Sequence, residues 1–234
     1  MQKIDLLGMS LTDYTLKEAQ GIAERYLRGG ACNSIVFLSA KMLVGAGINR
    51  MQKQWLEDVD LIAWSDAEIL KKAGVTSKAR IHDVENREFL KSYLKTLAKS
   101  GQTIYLLSDS ESELEQFRQD LFHLRGDLRI IGEMVVEEDV TDYDAVVNAL
   151  NIVAPKVIIS KMAYDRLEVM MTNYRKYLNA EVWIAMNDQM NLNEERRNLL
   201  RVLADRWYHM LLYKHVEEYE QKKENENVKS SSGK

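Results

Sequence analysis

The sequence has a single cysteine, no long apolar run and no strong excess of charge of either sign. Cys32 is alone in a chain of 234 residues, so neither an internal disulfide nor a thiolate metal cluster can form within the chain. No apolar run approaches the roughly 18 residues of a transmembrane helix, and the N-terminal segment lacks the features of a secretory signal. These absences predict a cytoplasmic protein without a membrane span, and they leave peripheral membrane contact open.

The charge balance and the motif content exclude several classes of function. Lysine and arginine total 32 against 36 aspartate and glutamate, a net charge of −4, so nucleic acid is not a predicted partner. The sequence contains no Walker loop, no dinucleotide-binding glycine motif and no GxSxG elbow. The four histidines show no metal-ligand spacing, and His209 and His215 lie six residues apart, on different faces of a helix. We therefore predict neither a metal nor a cofactor.

Short β-rich runs alternate with longer segments of helical period. Strands are predicted at 3–8, 34–39, 59–64, 103–108, 128–133, 156–160 and 181–186, and helices at 15–28, 40–54, 66–73, 84–100, 110–124, 141–153 and 162–178. Thr15 with Glu18, and Ser110 with Glu113, have the spacing of capping boxes. Several strands are nearly continuous apolar runs, which is typical of parallel strands covered on both faces. The pattern predicts an α/β fold with a doubly wound, mostly parallel, Rossmann-like sheet.

The alternation ends near residue 190. We predict an α/β domain over 1–190, a C-terminal helical appendage over 191–223 and a disordered tail over 224–234. Within the appendage, the segment 194–222 repeats apolar residues at helical spacing. The tail is polar and low in complexity, which is typical of disorder.

Polar side chains follow several predicted strands, where open α/β sheets bind their ligands. These strand-end residues are Ser39, Ser65, Asp66, Ser108, Lys161 and Asn187. A lysine in such a rim would suit a phosphorylated ligand. Each serine, and Asp66 itself, could instead cap the helix that follows, because serine and aspartate are preferred helix caps. From the residues alone, both interpretations of Asp66 remain open.

Four segments carry a resemblance to a known family. LLGMSLTDYTLKEAQ, SIVFLSAKMLVGAG, WLEDVDLIAWSDAEIL and GQTIYLLSDSESELEQFRQDL follow one another in the order and spacing of that family. The chain thus resembles the WecG/TagA/CpsF glycosyltransferases, glycosyltransferase family 26. The resemblance implies transfer of an N-acetylhexosamine from a UDP-sugar to a polyprenyl-diphosphate-linked acceptor in cell-envelope polysaccharide synthesis. It also implies inversion at the sugar, no required metal, and a homo-oligomer.

The resemblance also assigns roles to residues. Asp66, or Ser65 if the alignment is shifted by one, takes the place of the general base that removes the acceptor proton. The residues expected to bind substrate are Ser39, Ser65, Ser108, Lys161, Arg166, Asn187, Arg201 and Arg206. Arg201 and Arg206 belong to the segment 194–222, which the resemblance links to the diphosphate and to the membrane surface at the inner face of the cell membrane.

The chain departs from the family pattern at its glycines and at one threonine. Phe37 stands where the family has a threonine, and no glycine occurs between Gly132 and Gly233. Glycines at strand ends allow the backbone to approach a diphosphate closely. An alternative function follows from their loss, that of a catalytically degenerate partner or regulatory subunit. It predicts a crevice filled by side chains such as Phe37 and Met162.

Overall fold

A computed structural model describes residues 2–137, 139–140, 142–188, 190, 192 and 199–231, the side chains of 199–202 and 226–231 excepted. Six parallel strands form one sheet with helices on both faces, which confirms the predicted Rossmann-like α/β class. A two-stranded hairpin precedes this sheet, and a long helix follows it.

The elements are numbered in chain order. The strands are β1 (Gln2–Leu6), β2 (Met9–Asp13), β3 (Asn33–Leu38), β4 (Leu61–Trp64), β5 (Thr103–Ser108), β6 (Arg129–Val135), β7 (Val157–Met162) and β8 (Val182–Asn187). The α-helices are α1 (Leu16–Tyr26), α2 (Ala40–Ile48), α3 (Arg50–Glu57), α4 (Ala67–Lys72), α5 (Lys78–Glu85), α6 (Glu88–Lys99), α7 (Glu111–Leu124), α8 (Asp144–Val153), α9 (Tyr164–Tyr174) and α10 (Leu199–Ser231). A single 3-10 turn, Arg175–Tyr177, follows α9.

The large sheet has the strand order β4-β3-β8-β7-β5-β6, with every neighbouring pair parallel. All residues of β7 and β8 are buried, as the apolar runs predicted for strands covered on both faces. In register, Leu38 lies beside Trp64, and Phe37 lies beside Met186. The carboxyl ends of β4, β3, β8 and β7 therefore meet at one edge of the sheet.

Alternation along the strands divides the core into two layers, one on each face of the sheet. Ile35, Phe37 and Ile184 belong to one layer, which α1, α6 and α7 cover. Trp183 belongs to the other, and its indole N–H donates to the Ser160 hydroxyl at 2.8 Å. This hydrogen bond satisfies the polar atom of a side chain that is 0% exposed.

The predicted strand at 3–8 exists, but its expected place in the parallel sheet is wrong. It is β1, and it pairs antiparallel with β2, a strand that the sequence prediction missed. Leu7 and Gly8 connect the two with positive φ angles of 52° and 72°, as a tight type I′ turn requires. Because Ile4 and Leu11 alternate with polar neighbours, the hairpin buries one face only, and its pattern is that of an antiparallel pair.

The helix predicted at 40–54 is divided into two, and the helix α5, which precedes the one predicted at 84–100, was missed. Asn49 ends α2 and caps α3, where its side chain accepts a hydrogen bond from the Met51 N–H at 2.9 Å. Arg87, with φ 53°, separates α5 from α6. The capping box of Thr15 and Glu18 is confirmed at the start of α1. Local capping chemistry could therefore be predicted from the sequence, whereas the break at Asn49 and the helix α5 were not.

The C-terminal helix α10 packs along α2 and buries Leu212 and Val216 against the core. It continues to Ser231, so residues 224–231 are helical and differ from the disordered tail predicted there. Lysine, glutamate and glutamine favour helix, and extending an existing helix requires no new nucleus. The domain boundary predicted at residue 191 lies outside the described residues, as do residues 193–198. None of the described helices combines the length and hydrophobicity needed to cross a membrane.

Candidate functional site

Three of the predicted strand-end residues lie together at the edge of the sheet. Ser39 caps α2, and its hydroxyl also accepts a hydrogen bond from the Asn187 side chain at 2.8 Å. The Ser65 hydroxyl donates to the Leu38 carbonyl oxygen at 2.8 Å. These bonds hold the ends of β3, β4 and β8 in fixed positions. The result is a small cluster of polar side chains at this edge of the sheet, where the family pattern has glycines.

Asp66 has two roles in the structure. One carboxylate oxygen accepts the Glu68 N–H at 2.9 Å, which confirms that Asp66 caps α4. The other oxygen is hydrogen-bonded to Nε2 of His209, which α10 carries. Both side chains are partly exposed, Asp66 by 23% and His209 by 21%. The hydrogen bond to Asp66 raises the pKa of His209 above its usual value, and burial opposes this shift.

His209, the hydrogen-bond partner of Asp66, lines an open groove between α4 and α10. The groove has a volume of about 730 Å³ and is lined by Glu68, Arg206, His209, Met210, Tyr213, Lys214 and Glu217. Arg206 and His209 thus line the same groove. Arg201 belongs to α10, but its side chain lies outside the described residues.

Lys41 is a part-exposed cation at the strand ends that the sequence analysis missed. Its Nζ lies 3.7 Å from the Asp188 carboxylate, 5.4 Å from the centroid of the Tyr164 ring and 5.9 Å from that of Tyr208. Such distances allow cation–π attraction from both rings. Its position two residues after Ser39, in the first turn of α2, was the signal available in the sequence.

Arg166 is held in a structural contact. Its guanidinium pairs with Asp109 at 2.6 Å and donates to the carbonyl oxygens of Val136 and Glu137. Burial raises the pKa of Asp109, while the Ala163 N–H and the Arg166 charge lower it. Arg166 therefore fastens the segment after β6 to the start of α9. Its charge is paired within the fold.

Ser108 and Lys161 lie within the sheet. Ser108 is fully buried, and its hydroxyl donates to the Lys161 carbonyl oxygen at 3.1 Å, while Lys161 is only 3% exposed. Phe37 and Met162 are also buried, at 3% and 0% exposed. These four residues are therefore closed to solvent, whereas the partly exposed Lys41, Asp66 and His209 lie on or beside α2, α4 and α10.

No group of three or more His, Cys, Asp or Glu side chains suited to a metal ion occurs in the described part of the chain. The expectation that the reaction needs no metal stays a prediction.

The sequence matches the Glycosyl transferase WecG/TagA/CpsF family over residues 4–192. This match begins in β1 and ends just after β8, so it contains Ser39, Lys41, Asp66 and Asn187, whereas α10 with His209 lies beyond it. No curated protein matches the chain significantly. Because the family match covers most of the sequence, the chain belongs to the WecG/TagA/CpsF family of glycosyl transferases.

Proposed function

We propose that the protein transfers an N-acetylhexosamine from a UDP-sugar to a polyprenyl-diphosphate-linked acceptor in the synthesis of a cell-envelope polysaccharide. The observation that carries the proposal is the part-exposed Asp66 carboxylate in a member of this family. It lies at the end of β4 and is hydrogen-bonded to His209, which lines an open groove. In an inverting transfer, the acceptor hydroxyl attacks the anomeric carbon while the bond to UDP breaks. A carboxylate near the acceptor can assist by removing the hydroxyl proton.

Lys41 is the proposed ligand of the donor diphosphate. Arg166 is paired closely with Asp109 at 2.6 Å, and Lys161 is buried. Lys41 is partly exposed, and its ion pair with Asp188 is longer, at 3.7 Å. A lysine binds phosphate as a point charge, without the fixed geometry of a glycine-rich backbone. In this proposal its charge replaces the strand-end glycines that the chain lacks, and no metal takes part.

Titration with UDP tests the donor site. We expect UDP to raise the melting temperature in a saturable manner, because a ligand that binds only the native state stabilises it. Lys41→Gln should weaken the Kd by about tenfold, which corresponds to the roughly 1.4 kcal/mol of one charge-assisted contact. The matched control is Lys91→Gln, since Lys91 is exposed on α6 and its side chain pairs, within the described part of the chain, with Glu88 alone, at 3.8 Å. Equal Kd values for the two variants would contradict the role of Lys41.

One face of α10 is proposed to lie on the membrane surface. Leu203, Trp207 and Met210 are exposed by 52%, 51% and 59%, and their spacing places them on one side of the helix. Arg206 and Lys214 are close to this stripe in sequence, and cations beside an apolar face are typical of interfacial helices. Because Met210 also lines the groove, a lipid-linked acceptor bound there would lie near Asp66.

Flotation with vesicles tests this surface. The protein is expected to float with vesicles that contain anionic lipid, and Trp207→Ser should reduce the bound fraction several-fold, because it removes an aromatic anchor. Tyr177→Ser is the control, since Tyr177 is equally exposed but follows α9. Binding that is absent, or that Trp207→Ser leaves unchanged, would contradict the membrane role.

The family match does not favour the alternative of a non-catalytic partner subunit. That alternative predicts no UDP binding and no transfer. The UDP titration, followed by an assay of sugar transfer to a polyprenyl-diphosphate acceptor, therefore separates the two functions.

A further inference from the structure

We infer that His209 is the group that receives the acceptor proton, and that Asp66 is the carboxylate that orients it. The inference rests on the proposed function and changes the assignment of the base. It starts from a hydrogen bond between two residues that are 143 positions apart in the chain. A carboxylate paired with an imidazole is the arrangement by which many enzymes activate a hydroxyl group.

Both oxygens of Asp66 are already engaged. One accepts the Glu68 N–H, and the other faces Nε2 of His209. The carboxylate is therefore fixed by α4 on one side and by α10 on the other. Such a group is well placed to orient and charge-stabilise an imidazole, which is what the aspartate does in a catalytic triad.

The contacts along α10 hold His209 in place. Tyr213, one turn further, donates to Glu68 at 3.0 Å, and Glu217, another turn further, pairs with Lys72 at 3.4 Å. Residues at i, i+4 and i+8 lie on one face of a helix, so three successive turns of α10 are attached to α4. Contacts within the protein therefore fix the position of His209 in the site, without a bound substrate.

The second ring nitrogen of His209 is available for a substrate. Among the described residues, Nδ1 makes no hydrogen bond, and His209 lines the groove between α4 and α10. In the neutral imidazole, the proton on Nε2 is donated to Asp66, which leaves a lone pair on Nδ1. This is the tautomer that can accept a proton from a hydroxyl group in the groove.

The proposed step balances as follows. The acceptor oxygen forms a bond to the anomeric carbon, the bond from that carbon to the UDP oxygen breaks, and UDP leaves with the electron pair. The hydroxyl proton moves to Nδ1 of His209, and the negative charge of Asp66 stabilises the resulting imidazolium. Arg206 and Lys214 line the same groove, where their charges suit the diphosphate of the acceptor.

The pH dependence follows from the charged groups around the imidazole. Asp66 and Glu68 face it from α4, and Asp205 lies on its own helix, so negative charges raise the pKa of His209. Arg206 shares the groove. A base must be neutral to accept a proton, so transfer should fall as the pH decreases through this raised pKa. Asp66→Asn removes the nearest negative charge and should move the acid limb of the pH–rate profile to lower pH.

Chemical rescue tests the inference directly. His209→Ala is expected to lower kcat by about 10²- to 10⁴-fold, the range for loss of general base catalysis, and added imidazole should restore part of the activity. His209→Gln keeps a donor for Asp66 but cannot take the proton, so imidazole should not restore it. His215→Ala is the matched control on α10, because among the described residues His215 bonds the Leu211 carbonyl oxygen of its own helix alone, at 2.9 Å. Melting temperatures show whether each variant is folded.

The outcomes separate the inference from the proposed function. If the wild-type protein transfers sugar and His209→Ala transfers it equally well, the role of His209 is overturned while the proposed function stands. The role of His209 is also overturned if imidazole does not restore the activity lost in His209→Ala and Asp66→Asn does not move the acid limb of the pH–rate profile. His209 would then only position Asp66. If the wild-type protein transfers no sugar, both proposals fall. Rescue with a shifted acid limb supports His209 as the base.

Discussion

The Asp66→Asn protein is expected to fold with stability close to the wild type and to transfer sugar about 10²- to 10⁴-fold more slowly. Asparagine is as good a helix cap as aspartate, so its side-chain oxygen should still accept the Glu68 N–H at the start of α4. The substitution removes the negative charge of the carboxylate. That charge is required whether Asp66 or His209 is the base. The measurement is release of UDP in the presence of acceptor, with the melting temperature recorded in parallel.

Asp66→Ala is the companion variant that separates the cap from the chemistry. It removes the charge and the cap together, so it should lose the same activity and also about 1 kcal/mol of stability. If Asp66→Asn retains wild-type activity while Asp66→Ala only lowers the melting temperature, Asp66 is a helix cap and nothing more. The proposed mechanism would then be wrong, whichever residue is the base.

Replacing Trp183 with alanine is expected to cost about 3–5 kcal/mol of unfolding free energy. Trp183 is fully buried on β8, the strand between β3 and β7, and alanine would leave a cavity there. The Ser160 hydroxyl would also lose the indole N–H that donates to it. Urea denaturation followed by circular dichroism measures the change.

Trp207→Ala is the control for Trp183→Ala, because the same side chain is removed from an exposed position on α10. Its stability should change by no more than about 0.5 kcal/mol. If Trp183→Ala were as stable as Trp207→Ala, the core layer that contains Trp183 could not be packed as described.

The strands of the central sheet were predictable because their signal is local. An apolar run such as 156–160 or 181–186 is typical of a strand in a sheet covered on both faces. The strands β7 and β8 lie within two residues of those predictions. The hairpin of β1 and β2 was less predictable. Its turn at Leu7 and Gly8 lacks the usual Asn-Gly signal, so the second strand passed unnoticed.

The candidate site was predicted only in part. Asp66, Ser39 and Asn187 were identified because the ends of parallel strands meet at one edge, a rule that needs no knowledge of long-range contacts. Arg166 was expected to bind phosphate, yet the fold pairs it with Asp109, 57 positions earlier in the chain. His209 was considered only as a metal ligand. Its actual partner, Asp66, is too distant in sequence for any spacing rule to connect the two.

By itself, the sequence determined the class of the fold, the strand-end position of Asp66 and the likeness to a glycosyltransferase family, because periodicity, capping and short motifs act over a few neighbouring residues. The tertiary structure alone decided which charges are paired and which are available. Docking of α10 on α2 and α4 brings His209 to Asp66 and Tyr208 to Lys41. That docking depends on buried contacts of Leu212 and Val216 with residues remote in the chain. No local pattern encodes it.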